Sequence, residues 1–258
     1  MSITRDLRPL FVANLKMFYR SADTILFWIV SPLLLFGIYA LVRDLDFGVG
    51  NAASDIDFFS FVAIGNAAFI GAHFAQDGSV GAASGYRAAG VLKRIAVTPV
   101  SAAVFIAANT LARLVAALVA TAAMLGLAEA FGADIAYTAN LAWAGPLVAI
   151  AVLTGVSFGF AIAGAMSTPE AANQLNIGLF SPVFMLAGIL YPLAGLPEAA
   201  RDAVVYVIPF AAPVQAVRGV VAGAPITDFG KDVLISLAWL GIAFLLAVRN
   251  YRLVERDA

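Results

Sequence analysis

Residues 85–101 read GYRAAGVLKRIAVTPVS and separate two long apolar stretches of the chain. The cations of this segment fall within eight positions, and its apolar residues recur at helical spacing. The cations are Arg87, Lys93 and Arg94, and the apolar positions are Val91, Leu92 and Ile95. The pattern predicts a short amphipathic helix that lies at a membrane surface, with one apolar and one charged face.

The apolar stretches around this segment decide the fold class. Of the 258 residues, 62% are hydrophobic and 12% are charged, and the mean hydropathy is +0.95. Soluble domains are about 45–50% apolar and about 25% charged. Because about 20 helical residues cross a hydrocarbon core about 30 Å thick, we predict an all-α integral membrane protein. Its six spans are expected at about 24–42, 58–77, 100–128, 140–166, 174–193 and 232–249.

Composition also excludes several function classes. The net charge of −1 argues against a nucleic-acid partner. No metal site is expected, because the chain has no cysteine and its one histidine, His73, has no second nitrogen ligand to join it. The sequence has no phosphate-binding loop of the form Gly-x-x-x-x-Gly-Lys-Ser/Thr. We therefore expect a chain that is not an enzyme and has no cofactor of its own. If the process is driven by ATP, the ATPase must be a separate subunit.

A helix is predicted before the first span, at residues 4–21. Its apolar stripe consists of Leu7, Leu10, Phe11, Leu15 and Phe18, and its cations are Arg5, Arg8, Lys16 and Arg20. Such a helix is expected to lie in the membrane interface with its cations reaching the headgroups. Packing of the stripe on a partner is the alternative.

The distribution of cations predicts the orientation. With six spans, one side holds Arg5, Arg8, Lys16, Arg20, Arg87, Lys93, Arg94, Arg249, Arg252 and Arg256. The opposite loops hold Arg43, Arg201 and Arg218, with Lys231 at the edge of the last span, and most of the acidic residues. Since cytoplasmic loops carry the excess of Lys and Arg, both termini and the segment 85–101 are expected in the cytoplasm.

Two regions are expected to be irregular. The glycine-rich stretch from Gly78 to Gly90 is interpreted as a loosened helix end and a turn. Ser181-Pro182 is expected to interrupt the fifth span, and residues 194–228 to form short re-entrant helices on the outer side.

Polar side chains inside spans are costly, so they are informative. Asn66, His73 and Asp77 fall within about 40° on one face of the second span. They could line a polar part of a cargo path or form hydrogen bonds between helices, and the second reading is favoured for His73. Arg113 lies deep in the third span and is expected to meet this stripe, at Asp77 or His73. Small residues such as Gly155 and Gly159 predict closely packed helices.

Two distant motifs together resemble the permeases of the ABC-2 type transporter family. The first is GVLKRIAVTPVS at residues 90–101. The second consists of residues 176–182, AGILYP at 187–192, Leu196-Pro197, Ile208-Pro209 and Val217-Arg218. One departure is that Ala88-Ala89 stands where the family often has a glutamate before the motif glycine.

The resemblance implies an exporter subunit that forms a dimer, preferably of identical copies, and binds two cytosolic ATPase subunits, which hold ATP and Mg. A coupling helix at 85–98 would dock the ATPase through Tyr86, Arg87, Val91, Leu92, Lys93, Arg94 and Ile95. The first, second and fifth spans would line the cargo path, with Phe27, Trp28, Phe36, Tyr39, Phe59, Asn66, Phe69, His73, Phe180 and Phe184 as candidates. For the rings of the first two spans, an interfacial aromatic belt is the alternative.

The resemblance further implies a drug, antibiotic or lipid as cargo and a bacterial or archaeal cell membrane as location. Export of a polysaccharide or lipo-oligosaccharide is the alternative. An intramembrane enzyme or a scaffold is less favoured, because the aspartates fall mostly in the outer loops and a scaffold needs no polar stripe.

Overall fold

The computed structural model describes residues 3–20, 57–91, 102–191, 193–223 and 229–250, and a few single positions elsewhere. The predicted first span at 24–42 lies almost entirely outside the described residues. These ranges contain eight α-helices and no strand, which confirms the all-α prediction. The helices are α1 (Ile3–Arg20), α2 (Phe58–Ala88), α3 (Ala102–Ala130), α4 (Ala144–Ala165), α5 (Pro169–Leu186), α6 (Glu198–Val207), α7 (Ala211–Ala222) and α8 (Phe229–Asn250).

Helix α2 is the centre of the bundle and packs against α3, α4, α5 and α7. Helix α4 lies between α2 and α8, and α1 packs along α3. The main core lies between α2, α4 and α7, where Phe69, Val152 and Val217 are almost fully buried. Because α2 is enclosed on several sides, most of its side chains contact the neighbouring helices and are positioned by them.

Close contact between α2 and α4 depends on two glycines. A Cβ atom at Gly155 would lie 2.2 Å from the carbonyl oxygen of Ala72, and one at Gly159 would lie 2.5 Å from that of Gln76. No side chain fits into these distances, so the α4 backbone rests directly on α2. The prediction of small residues at a helix interface is confirmed at both positions.

The helix ends gather at two opposite ends of the bundle. At one end Arg87 in the last turn of α2 bonds the end of α4, and Asn250 at the end of α8 donates to the carbonyl of Ala161 at 3.5 Å. At the other end the backbone N–H of Asp134 donates to the hydroxyl of Ser60 at 2.8 Å. The C-terminal ends of α2, α4 and α8 therefore lie together, and these three helices run in the same direction.

Helix α2 is longer than predicted. It continues through the glycine-rich stretch to Ala88, so the expectation of a loosened helix end at Gly78 is wrong, and the turn forms only at Ala89 and Gly90. Packing against α3 and α4 offsets the low helix propensity of glycine. Gly78 has a packing role, because a Cβ atom there would lie 2.1 Å from Nη1 of Arg113.

The fifth span is displaced from its predicted position. Helix α5 begins at Pro169, because the Thr168 side chain caps it by accepting from the N–H of Ala171 at 3.2 Å. It also continues through Pro182 to Leu186, so the predicted interruption is wrong. The helix stops before Gly188, whose φ of +72° favours glycine.

In the described part, four helices are long and apolar enough to cross a membrane, namely α2, α3, α4 with the preceding 3₁₀ turn, and α8. The short helices α6 and α7 meet at 107° and would count as a fifth span if taken together. Helix α5 does not pass the same test of apolar composition. The described residues therefore contain four or five candidate spans and not the predicted six. Helix α5 is long enough to be a span but too polar to count as one.

Candidate functional site

Helices α2 and α5 meet through a cluster of aromatic rings. The centroid of the His73 ring lies 4.0 Å from that of Phe180 and 5.8 Å from that of Phe69. Phe184 lies 5.6 Å from Phe69 and 5.4 Å from Phe180. Four predicted cargo-path residues are therefore neighbours. Phe210, the residue immediately before α7, adds an edge-on contact with Phe69 at 5.6 Å that the sequence did not predict.

A row of amides continues this α2–α5 contact. Nε2 of Gln76 donates to Oδ1 of Asn176 at 2.8 Å, and Nδ2 of Asn176 donates to Oδ1 of Asp77 at 2.9 Å. Asn176 is 1% exposed and uses both ends of its amide. The amide therefore fixes the Asp77 carboxylate beside the aromatic cluster.

Arg113 reaches the same region from α3, on the other side of Asp77. Its guanidinium lies against Gly78, and its Nε donates to Oδ1 of Asn109 at 2.8 Å. Asn109 in turn donates to Oδ1 of Asn14 on α1 at 3.2 Å. Arg113 and Asp77 carry opposite formal charges. Among the described ion pairs, however, none joins the two, and the hydrogen bond of Arg113 is to an amide.

Asn66 and Phe59 occupy different surroundings. Asn66 is 1% exposed, and neither of its amide atoms has a hydrogen-bond partner. Phe59 is fully buried with Ala63, Met124 and Ala128 between α2 and α3, so it is not part of the aromatic cluster. The remaining candidates, Phe27, Trp28, Phe36 and Tyr39, lie outside the described residues.

The predicted docking residues do not form one continuous helix over 85–98. Tyr86 and Arg87 belong to the last turn of α2, and the chain then turns at Gly90, whose φ is +64°. Val91 and Arg94 follow that turn, and the N–H of Arg94 donates to the carbonyl of Gly90 at 3.2 Å. Leu92, Lys93 and Ile95 lie outside the described residues. Glycine at 90 permits the left-handed conformation that separates α2 from the rest of the segment.

Arg218 is buried, whereas the sequence placed it among the charges of the outer loops. It is 5% exposed, and its guanidinium lies 3.6 Å from the centroid of the Phe61 ring. Nε donates to the carbonyl of Phe61 at 3.2 Å, and Nη2 donates to those of Gly188 at 2.9 Å and Ile189 at 3.4 Å. Nη1 bonds Oε1 of Gln215 on the same helix at 3.1 Å, so that Arg218 joins α7 to α2 and to the segment after α5. The signal in the sequence was a single cation within the apolar run 211–222.

The apolar helices and the polar groups buried between them define a polytopic membrane protein. The profile of the ABC-2 type transporter family matches residues 6–221, which is most of the chain. The chain therefore belongs to the ABC-2 type transporter family, as the two motifs indicated. It is a transmembrane permease domain of an ABC transporter, and permeases of this family generally pair with cytosolic ATPases. No curated protein gives a significant match.

Proposed function

We propose that this chain is the permease subunit of an ATP-binding cassette exporter in a bacterial or archaeal cell membrane. Two copies would bind two cytosolic ATPase subunits, and ATP hydrolysis with Mg on those subunits would move an amphipathic or lipid-linked cargo outward. The observation that carries the proposal is that α2 ends and α3 begins at the end of the bundle where Arg87 and Arg249 lie. The α2–α3 connection contains the motif by which the sequence resembles the family.

The charges of the two ends support a cytoplasmic position for this connection. At one end, the last turns of α2 and α8 carry Arg87 and Arg249 and Arg94 follows α2, against one acidic residue, Glu170, at the start of α5. The opposite end carries Asp57, Glu129, Asp134, Glu198 and Asp202, together with Arg201 and Lys231. Because cytoplasmic ends carry the excess of cations, both termini would lie in the cytoplasm with the α2–α3 connection.

Helix α1 supports the same orientation. Its half-buried residues Leu7, Leu10, Phe11 and Leu15 form the predicted apolar stripe, while Arg8 and Lys16 are exposed. The helix packs along the first part of α3, where Asn14 contacts Asn109. Its cations would then reach lipid headgroups at the inner surface.

The exposed face of α5 supports a second permease copy. Asn173, Gln174 and Ser181 are exposed and lie within one side of the helix. Polar side chains facing lipid are costly, so in a membrane they face protein or a water-filled path. A second copy that covers this side of α5 would place two such faces around a shared path.

The α2–α5 contact supports an amphipathic cargo. The aromatic cluster around His73 and Phe180 offers apolar area, and the exposed carboxylate of Asp77 beside it offers a hydrogen-bonding group. A path with both surfaces favours a molecule that has both. Drugs, antibiotics and lipids meet this description, and a lipid-linked oligosaccharide does so through its anchor.

Co-purification followed by reconstitution tests the proposal. The full chain is expressed with each candidate ABC ATPase of its source organism, and any complex is placed in vesicles of bacterial lipid. A stable complex is expected, whose ATPase activity rises with one class among a panel of drugs, lipids and lipid-linked glycans. Stimulation by glycans alone would indicate the polysaccharide exporter. A chain that binds no ATPase would refute the exporter and favour a scaffold or an intramembrane enzyme.

A further inference from the structure

Arg87 stands where the proposed docking segment joins the bundle. It lies in the last turn of α2, three residues before the turn at Gly90. Its guanidinium points back into the protein, because Nη2 donates to the backbone carbonyls of Ala163 and, at 2.7 Å, of Met166. A side chain engaged in this way is not free to contact an ATPase, although the sequence pattern assigned it to that role.

Both acceptors lie at the end of α4. The last carbonyls of a helix have no donor within the helix, and they form the negative end of its dipole. A guanidinium that bonds them is therefore held by charge as well as by hydrogen bonds. Because both partners are backbone groups, the contact depends on the length and charge of residue 87 and on the position of the α4–α5 turn.

The α4–α5 turn leads directly into α5, the helix that is proposed to face the cargo. Only Ser167 and Thr168 separate Met166 from Pro169, where α5 begins. Helix α5 then carries Asn176 and Phe180, which contact α2. A movement of the docking segment that shifts Arg87 is thus passed to α5 through two hydrogen bonds and a turn of three residues.

The neighbouring contact with α3 is of a different kind. Tyr86 packs edge-on against Phe105 at 5.3 Å, and Ala83 and Ala163 fill the space beside them. This packing can slide, whereas the Arg87 bonds are directional. Of the two contacts, that of Arg87 is better suited to transmit a pull.

We infer that Arg87 is a positioning residue that couples the ATPase-docking segment to α5 through the α4–α5 turn, and that it does not itself dock the ATPase. The inference rests on the proposed function. Arg94 is the matched counterpart, since it follows the Gly90 turn in the same segment and its side chain is exposed. Replacement of Arg87 is therefore expected to lower the cargo moved per ATP, whereas replacement of Arg94 is expected to weaken ATPase binding.

The experiment uses the full chain with its ATPase in vesicles and compares Arg87→Ala, Arg87→Lys and Arg94→Glu with the wild type. It measures ATPase bound per permease, hydrolysis rate, and cargo moved per ATP. Arg87→Ala should bind the ATPase normally but move at least roughly fivefold less cargo per ATP. A factor of about five is the low end of the coupling found between linked sites. Arg87→Lys should recover part of the coupling, because an ammonium group also bonds carbonyls. Arg94→Glu should lower the amount of ATPase bound.

Two results would overturn the inference. Loss of ATPase binding in Arg87→Ala, to the extent seen in Arg94→Glu, would make Arg87 a docking residue. Unchanged cargo per ATP in Arg87→Ala would reduce the contact to a helix cap. If Arg87→Ala does not fold, Arg87→Lys decides by the same two measurements. A wild-type chain that binds no ATPase would instead refute the proposed function, whatever the variants do.

Discussion

Gly65 lies directly against the guanidinium of Arg218, so that a Cβ atom at Gly65 would be 2.1 Å from Nη2. The guanidinium is held there by carbonyl groups of α2 and of the segment after α5. Because buried cations without bonded partners are strongly disfavoured, these carbonyls explain how an arginine is accommodated in the core. Because Gly65 has no side chain, the guanidinium of Arg218 has the space to reach these carbonyls.

Replacement of Gly65 tests this arrangement. Gly65→Ala should lower the free energy of unfolding by about 1–3 kcal/mol, because Arg218 cannot move aside without losing its carbonyl partners. Gly81→Ala is the matched control on α2, since nothing lies within 4 Å of its added Cβ. Thermal unfolding of both variants in detergent checks this. In an Arg218→Met background the effect of Gly65→Ala should shrink, and an equal effect in both backgrounds would contradict the account.

The α2–α4 contact gives a second prediction. Gly155→Ala should destabilise the protein by about 1–3 kcal/mol or more, because the added methyl group meets the backbone of Ala72, which cannot rotate away. Gly145→Ala lies on the same helix in open space and should be neutral or stabilise by up to about 1 kcal/mol. The yield of folded monomer and the unfolding midpoint measure both. Equal tolerance at the two positions would refute the close approach of α2 and α4.

The amide contact between α2 and α5 is testable with a double-mutant cycle. Gln76→Ala and Asn176→Ala should show a coupling energy of about 0.6–1.7 kcal/mol, the range found for hydrogen bonds between membrane helices. Unfolding in a detergent titration supplies the four free energies. Additive effects would mean that the bond between these two side chains is not formed.

The partner of Arg113 can be tested in the same way. The structure predicts stronger coupling of Arg113→Leu with Asn109→Ala than with Asp77→Asn, because Arg113 bonds the Asn109 amide at 2.8 Å. Bonds between charged and neutral groups contribute about 1.5–3 kcal/mol. Unfolding of the single and double variants measures both couplings. Stronger coupling with Asp77 would favour the direct pairing that the sequence suggested.

The sequence predicted those features that depend on local pattern. Helices α3, α4 and α8 lie within a few residues of their predicted spans, because long apolar runs determine them. The start of α5 was also encoded locally, by the capping residue Thr168 followed by Pro169 and Glu170. It was missed because apolar composition, rather than helix-start chemistry, set the predicted boundary.

Contacts between distant residues were beyond the reach of periodicity. The polar stripe on α2 predicted that Asn66, His73 and Asp77 share a face. It did not predict that Asn176 would bond Asp77, or that the amide of Asn66 would have no hydrogen-bond partner. The burial of Arg218 depends on carbonyls 29 to 157 positions away in the chain. A charge pattern alone assigns such a residue to a loop.

Binding of the ATPase to the α2–α3 connection is the central claim, and one measurement tests it most directly. The affinity of the purified ATPase for the permease in nanodiscs is compared between the wild type, Leu92→Asp and the double variant Lys93→Glu/Arg94→Glu. Thermal unfolding of the permease serves as the control for insertion and folding. The account predicts binding to the wild type and its loss in both variants, with unfolding unchanged. Normal binding and ATP-coupled transport by both variants would show that the ATPase docks elsewhere.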